Sequence, residues 1–384
     1  MRVCFVLHSS ALGGAERANL ELIDALRKRG VECFATLPQY GPVTEELKKR
    51  EVPFKVLPYR WWTARENSPL WNRVYRMIFN FATIPQVVRQ LKIWNPDVVV
   101  TNTITVCVGA FAAKILNVPH VWYIHEFGYE DHKMIYILGP RISSRLMDKL
   151  SAACIACSQA VAEKYRPFIS PEKMKVVHYS VSFCYQPNDP HDFKKLQRIL
   201  DEKADIQCAI VGTLQEGKGQ KDALRAIGEL IRKGIKAHLY IAGEGSKEYK
   251  RHLNDLIEKD QIGDHVTFMG HVPNGIQVMQ SVDIVLMCSR MEAFGRVTVE
   301  AMLAGKPVIG ARSGGTRELI RENFNGLLYT PGNYLELAEK ILYLYRHPHL
   351  AREMGLNGQK WATAYFTEER YGGEVLAILE EILK

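Results

Sequence analysis

The stretch Ser289-Arg290-Met291-Glu292-Ala293-Phe294-Gly295-Arg296-Val297-Thr298-Val299-Glu300-Ala301-Met302-Leu303-Ala304-Gly305-Lys306-Pro307 decides the reading of this chain. Two glutamates bracket an aromatic-glycine turn, with seven residues between them. From Arg296 to Leu303 nothing breaks a helix, Gly305 is a good C′ residue, and Pro307 stands just beyond. The spacing predicts Glu292 in a loop and Glu300 about two turns inside the helix that follows. A helix amino terminus behind a glycine is a site for an anion, because free N–H groups and the dipole both point at it. Glu300 cannot bind a phosphate, but it accepts hydrogen bonds from two hydroxyls. Phosphate beside a diol beside a second carboxylate describes a nucleotide sugar.

Outward from this stretch, the second half reads as a βα series. Strands are expected over 207–211, 237–242, 265–269, 283–287 and 307–310, with helices over 222–233, 335–345, 350–366 and 367–383. The first half alternates in the same way, with strands over 2–7, 32–37, 54–57, 97–101, 120–124, 152–157 and 175–178. A helix behind Gly13-Gly14 stops at Gly30, and another covers 43–50. Such alternation means βαβ units and parallel sheets with helices on both faces. The stretch 182–204, with Pro187, Asn188, Pro190 and many charges, reads as a linker. Both halves begin strand, glycine loop, helix. Ligands of such sheets bind beyond the carboxyl ends of the strands, so two such domains facing each other make a cleft.

Residues 60–94 interrupt the alternation, mixing Trp61, Trp62, Trp71, Tyr75, Phe79, Phe81 and Trp94 with six lysines and arginines. Two readings stand: a membrane interface or lipid acceptor, or a helix packing aromatics inward and arginines outward.

A chain of 384 residues is too long for one ordinary core, so two domains are expected. No stretch is apolar for long enough to span a membrane, and the apolar run Val3 to Leu7 is too short for an export signal. A cytoplasmic location follows as the expectation, with the eight cysteines reduced. Cys154 and Cys157 point to opposite faces of a strand and read as buried structural thiols. Residues 1–182 hold 24 Lys+Arg against 15 Asp+Glu, a net +9, whereas residues 183–384 hold 26 against 27. The basic half fits an anionic membrane, an acidic substrate, nucleic acid or simply a solvated surface; no motif supports nucleic acid.

Single features carry a bland reading beside the functional one. Gly13-Gly14 is a tight turn or a place where backbone approaches a ligand. Lys218, at a strand-to-helix junction, is a solvated loop lysine or pairs a phosphate, although the Walker order is absent. His125, at a strand's carboxyl end, is a hydrogen-bonded capping residue, an acid/base group or an orienter of a sugar hydroxyl. No Asp-x-Asp and no His/Cys cluster with metal spacing occurs, so no metal or other cofactor is expected, and fixed cations with helix termini take its place.

Together these residues resemble the large retaining glycosyltransferase family GT4, of GT-B fold, across essentially the whole chain. Glu292 to Pro307 is similar to that family's E-x7-E signature with its trailing E-A-M-x-x-G-K-P-V-I, and Gly212-Thr213-Leu214-x-x-x-Lys218-Gly219 to its G-R-L-x-x-x-K-G loop. Phe268-x-Gly270, Gly13-Gly14-Ala15-Glu16 and Ser313-Gly314-Gly315-x-x-Glu318 match further segments. The resemblance implies a GT-B architecture of two Rossmann-like parallel-sheet domains facing across a cleft. Residues 1–182 would take the acceptor and 183–366 the nucleotide sugar, while a helix in 367–384 crosses back to the first domain.

It also implies roles. His125, Lys218 and Glu292 form the catalytic set. Lys218 pairs the donor diphosphate, helped by backbone amides at Gly295, Arg296 and Val297. Glu300 holds the ribose diol, Glu292 the ring hydroxyls of the sugar, and His125 sits at the donor sugar near the acceptor. Gly14, Gly212, Thr213, Gly270 and Phe294 complete the donor site. The donor implied is a nucleoside-diphosphate sugar, UDP-linked. The acceptor is a carbohydrate or lipid-linked sugar, with peripheral contact to an anionic membrane at its inner face. A nucleotide-sugar epimerase and a non-catalytic binding module are the rival readings.

Three departures stand out. Thr213 replaces the family's arginine, leaving Arg290 or Arg296 to compensate. His178-Tyr179-Ser180-Val181 stands where an asparagine-glycine turn is usual, and Glu126 with Phe127-Gly128-Tyr129 is individual to this chain.

Overall fold

The structure, a computed structural model, describes residues 1–181, 204–272 and 274–384. The expected linker thus lies, apart from Ala204, outside the described residues. The chain forms two compact units, Met1–Ser180 together with Phe366–Lys384, and Val181–Tyr365.

The first unit runs β1 (Arg2–Val6), α1 (Gly14–Arg27), β2 (Glu32–Leu37), α2 (Pro42–Lys49), β3 (Phe54–Val56), β4 (Thr63–Arg65), α3 (Leu70–Trp94), β5 (Val98–Asn102), α4 (Val108–Leu116), β6 (His120–Ile124), α5 (Tyr129–His132), β7 (Met134–Tyr136), α6 (Gly139–Leu150), β8 (Ala153–Ala156), α7 (Gln159–Tyr165) and β9 (Met174–Val176). Seven strands make one parallel sheet in the order β3-β2-β1-β5-β6-β8-β9. Its central strands are buried on both faces, as Val98, Val99 and Val100 show, which is why they read as continuous apolar runs. Strands β4 and β7 pair antiparallel in a sheet of their own, with Thr63 opposite Tyr136. Neither strand was expected: both stand outside the βα alternation that marks the equally short β3 and β9.

The long helix α3 divides the two readings of its region. Trp62 is buried against Trp122, and its indole N–H donates to the Ile104 carbonyl at 2.6 Å. Trp71, Tyr75 and Phe81 nevertheless face outward. The expectation of aromatics packed inward therefore holds for only part of the segment.

The second unit runs β10 (Ile206–Val211), α8 (Gln220–Arg232), β11 (Ala237–Ala242), α9 (Lys247–Lys259), β12 (Val266–Gly270), α10 (Gly275–Gln280), β13 (Ile284–Met287), α11 (Arg296–Leu303), β14 (Val308–Ala311), α12 (Thr316–Leu319), β15 (Gly326–Tyr329), α13 (Tyr334–Arg346) and α14 (Pro348–Tyr365). Its six strands are parallel in the order β12-β11-β10-β13-β14-β15. Leu224, Ile227, Leu239, Leu286 and Ile341 close the core between sheet and helices. The last helix, α15 (Glu368–Glu381), belongs to the first unit and packs on α1.

Candidate functional site

In the second unit the chain leaves β10 in one direction toward β11 and later returns on the other side as β13. Where strand order reverses in this way, the loops after the two central strands splay apart and leave a crevice at their carboxyl ends. The loop after β10 carries Lys218, and the loop after β13 carries Glu292. Across the switch point the Lys218 ammonium donates to Glu292 Oε2 at 2.7 Å, with both side chains partly buried. The sequence names both residues but gives no sign that they pair, since 74 positions separate them.

Backbone contacts fix both loops. Gly219 adopts a φ of 71°, and a Cβ there would lie 2.0 Å from the Cys288 carbonyl oxygen. The Arg290 N–H donates to the Gly217 carbonyl at 2.8 Å. The Glu292 loop is held from behind by the Ser313-Gly314-Gly315 turn, whose Gly315 N–H donates to the Glu292 carbonyl at 2.7 Å. A Cβ on Gly314 would stand 2.2 Å from that same oxygen. So Gly217 and Gly219 on one side and Gly314 and Gly315 on the other act together, bracing the loops that present Lys218 and Glu292.

Gly295 takes a φ of 97° and starts α11, whose first-turn amides belong to Arg296 and Val297. Phe294 is buried beneath the turn, and Glu300, partly buried, lies one turn into the helix rather than the two expected, because the helix begins only at Arg296. Thr213 is exposed, and its carbonyl accepts from the Gln220 side chain at 3.0 Å. Of the two arginines offered in compensation, the backbone bond to Gly217 ties Arg290 to the Lys218 loop, while Arg296 opens α11.

A glycine missed in the sequence completes the edge. Gly212, Gly243 and Gly270 stand at the carboxyl ends of β10, β11 and β12, with φ values of 143°, 141° and 68°. They bond in series: the Gly212 N–H donates to the Ala242 carbonyl at 2.9 Å, and the Gly243 N–H to the Gly270 carbonyl at 2.7 Å. Three neighbouring strands thus end without side chains, leaving bare backbone at the sheet edge. The signal was a glycine directly after each strand, readable in Ala242-Gly243-Glu244-Gly245 as well.

The first unit has its own switch point, between β1 and β5. Around it polar groups are buried among apolar ones. Neither ring nitrogen of His125 is left over: Nδ1 accepts from the Tyr179 hydroxyl, and Nε2 donates to Asn102 Oδ1. The ring stacks on Tyr123 at a centroid distance of 4.4 Å. Burial, with His8 nearby, pushes the imidazole down to about 3, so it is neutral at ordinary pH. This geometry is that of the hydrogen-bonded histidine at a strand end.

Beside it, Glu126 is buried and accepts from the Ile104 and His125 backbone N–H groups at 3.0 and 3.1 Å. Burial, then the charge of Asp131, pushes its carboxyl up to about 8 in spite of those two bonds. The neighbouring Thr103 holds a φ of 74°, a strained conformation for a β-branched residue, at the end of β5.

The Gly13-Gly14 loop is likewise built on a buried pair. Glu16 reaches back to the Gly13 N–H at 3.2 Å, and its other oxygen lies 3.1 Å from His8 Nε2. Burial lowers the imidazole to about 4 and raises the carboxyl, so a neutral ring stands beside the acid rather than an ion pair. The Trp61 indole closes over this group, donating to the His8 carbonyl at 2.9 Å. Gly14 itself opens α1.

Two parallel-sheet α/β units, with acid, lysine and helix terminus at a strand switch, define the GT-B class of architecture. Residues 191–361 match the family described as glycosyl transferases group 1, and residues 12–182 match glycosyltransferase family 4. The chain belongs to this glycosyltransferase group. Relatives include a putative glycosyltransferase, EpsD, from Bacillus subtilis, 29% identical over 54% of this chain and 49% of its own length. The N-acetyl-alpha-D-glucosaminyl L-malate synthase of Bacillus anthracis is 26% identical over 60% of this chain and 59% of its own. The matched regions therefore span about half the length of those relatives. Among solved structures, Anabaena HepE in complex with UDP-glucose is 25% identical and superimposes with a TM-score of 0.80 over 99% of this chain and 100% of that one.

Proposed function

We propose that this chain is a retaining, metal-independent glycosyltransferase. It moves a sugar from a nucleoside-diphosphate sugar, UDP-linked, to a hydroxyl of a lipid-linked or polysaccharide acceptor, on the cytoplasmic side at the inner face of the membrane. The observation that carries the reading is the Lys218–Glu292 pair at the strand switch, beside the amino end of α11. The UDP-glucose held by the Anabaena protein supports UDP as the base and diphosphate.

In this reading the incoming diphosphate takes the Lys218 ammonium from Glu292. Lys218 and the first-turn amides of α11 then face negative charge that grows as the sugar leaves. Glu292, released from its cation, receives the ring hydroxyls of the sugar, and Glu300 receives the ribose diol. Mutual neutralisation keeps both groups paired until the ligand replaces the bond. The departing diphosphate accepts the proton of the attacking hydroxyl on the same face of the sugar, as retention requires. His125, neutral and bonded at both nitrogens to Tyr179 and Asn102, is not asked to exchange a proton.

A panel of nucleotide sugars scored for binding and slow hydrolysis tests the whole reading. The expected result is selective binding of one UDP-sugar, with slow hydrolysis lacking acceptor. Glu300→Ala is expected to raise the donor KM at least tenfold, about 1.4 kcal/mol of lost hydrogen bonding to the diol. Normal donor binding in that variant rejects the ribose role. Interconversion of the sugar without acceptor would mark an epimerase, and binding without turnover a binding module.

A further inference from the structure

Helix α3 has two apolar faces. Ile84, Val87 and Leu91 point into the first unit's core, with Asn80 and Thr83 beside them. On the opposite side Trp71, Val74, Tyr75, Ile78 and Phe81 recur at three- and four-residue spacing and are all exposed, Trp71 to 71% and Ile78 to 63%. A helix lying on a globular core ordinarily turns charged and polar residues outward. Here a continuous stripe of large apolar side chains faces out, of the kind that marks an interaction site.

Charge borders the stripe. The helix carries not one Asp or Glu; its Arg89 and Lys92 are exposed, whereas Arg73 and Arg76 turn back to donate to the Ser68, Glu66 and Thr63 carbonyls, and over residues 60–94 Glu66 is the sole acid. The Arg60 guanidinium lies over the Phe79 ring at 4.9 Å and the Tyr75 ring at 5.8 Å, which holds a cation at the edge of the stripe. Helix α6 extends the same surface: its Leu146 shares with Met77, Phe81 and Phe111 the walls of a shallow apolar crevice. From that helix Arg141, Ile142, Arg145 and Lys149 are exposed.

We propose that the face formed by α3 and α6 is the surface by which this protein lies on an anionic bilayer. Trp71, Ile78 and Phe81 enter the boundary between headgroups and acyl chains, and the flanking arginines meet lipid phosphates. The charge pattern selects this occupant. A second copy of the chain, docked face to face by a two-fold axis, would set these arginines against their own copies with no acid to answer them. A lipid headgroup layer offers both apolar depth and a sheet of negative charge. Among the described residues no helix is long and apolar enough to cross the membrane, so the contact is one of lying on the surface. The inference deepens the functional reading, resting on its lipid-linked or membrane-proximal acceptor by giving the chain a way to meet it.

The test is co-sedimentation of the full chain with vesicles of phosphatidylcholine alone and of equal parts phosphatidylcholine and phosphatidylglycerol, with UDP-glucose binding measured on the same samples. The expected result is binding to the mixed vesicles at least tenfold tighter than to the neutral ones, weakening with salt. Trp71→Ser with Ile78→Ser should reduce vesicle binding at least tenfold, and Arg141→Gln with Arg145→Gln should abolish the preference for anionic lipid. UDP-glucose binding should stay unchanged in both pairs, which also shows that they fold. Equal affinity for both vesicle types overturns the proposal. So does a wild-type dimer, dispersed by the Trp71 and Ile78 changes, that ignores vesicles. Failure of wild type to bind any nucleotide sugar while still binding vesicles would fell the functional reading instead.

Discussion

The ion pair between Lys218 and Glu292 sets the terms at the residue scale. If the diphosphate takes the lysine, the two residues should respond differently to removal. Lys218→Ala leaves a carboxylate facing the phosphates and is expected to weaken UDP binding at least tenfold. Glu292→Gln removes the rival for the ammonium, so UDP alone should bind as well or better, while hydrolysis of the nucleotide sugar falls roughly 10- to 100-fold. Calorimetry with UDP beside a hydrolysis assay separates the two effects, and weaker UDP binding in Glu292→Gln would contradict the exchange. Glu126 gives a second prediction. Its carboxyl is raised from 4.5 to about 8, so above pH 4.5 the unfolded chain gives up a proton that the folded chain keeps. Stability therefore falls as pH rises toward 8. The buried histidines act oppositely, but above about pH 7 the unfolded chain holds few histidine protons. From pH 7 to 8 Glu126 should thus lower stability by about 1 kcal/mol, a slope that Glu126→Gln removes. Urea midpoints for both chains at pH 7 and 8 check it; identical slopes would deny that Glu126 holds a proton.

The elements behind these residues were legible to different degrees, for physical reasons. Strands buried on both faces announce themselves as apolar runs, and the helix from Arg296 to Leu303 was marked by the glycines at its two ends. The β4–β7 pair was invisible because its short strands stand outside the βα alternation that marked the equally short β3 and β9, and β15 was passed over in a short run behind Asn323-Phe324-Asn325. Pairings between loops were equally out of reach: Lys218 with Glu292, Tyr179 with His125 and Glu126 with Ile104 depend on which strands lie side by side. What sequence could have supplied, and did not, is Gly243. A Cβ there would lie 1.9 Å from the Gly212 carbonyl oxygen, whereas one on Gly270 meets nothing within 4 Å. Gly243→Ala should therefore cost about 3 kcal/mol or more through a clash of backbone. Gly270→Ala carries only its left-handed backbone, about 1 kcal/mol. Thermal or urea unfolding of the two variants ranks them, and an equal loss would mean the β10 and β11 ends move apart freely.

At the scale of the whole molecule, the chain passes from the first unit to the second and returns, so the first unit is made from both ends of the sequence. Its closing piece is α15, where Tyr371, Val375 and Leu379 are buried and Gly372 lies so close to α1 that a Cβ would come within 2.6 Å of Ala25 Cβ. Polar bonds register the helix: the Arg29 guanidinium donates to the Glu369 carbonyl at 2.6 Å, and Arg370 donates to the His178 and Tyr179 carbonyls at 2.8 and 3.0 Å. That last contact leads to the site, because the Tyr179 hydroxyl donates to His125. Each of the three large side chains contributes about 1.5–3 kcal/mol by burial. Together they approach the whole stability of an ordinary domain, about 5–15 kcal/mol. Removing residues 366–384 should therefore unfold or loosen the first unit while the second keeps its core, since no strand of the second sheet depends on α15. Hydrogen exchange by mass spectrometry reads this directly. Amides of β1 and α1 should lose protection in the truncated chain, those of β10 and β11 should keep theirs, and Gly372→Val should show the same pattern in weaker form. Equal loss in both units would mean that α15 serves the whole chain, and no loss in either would mean that α1 needs no cover.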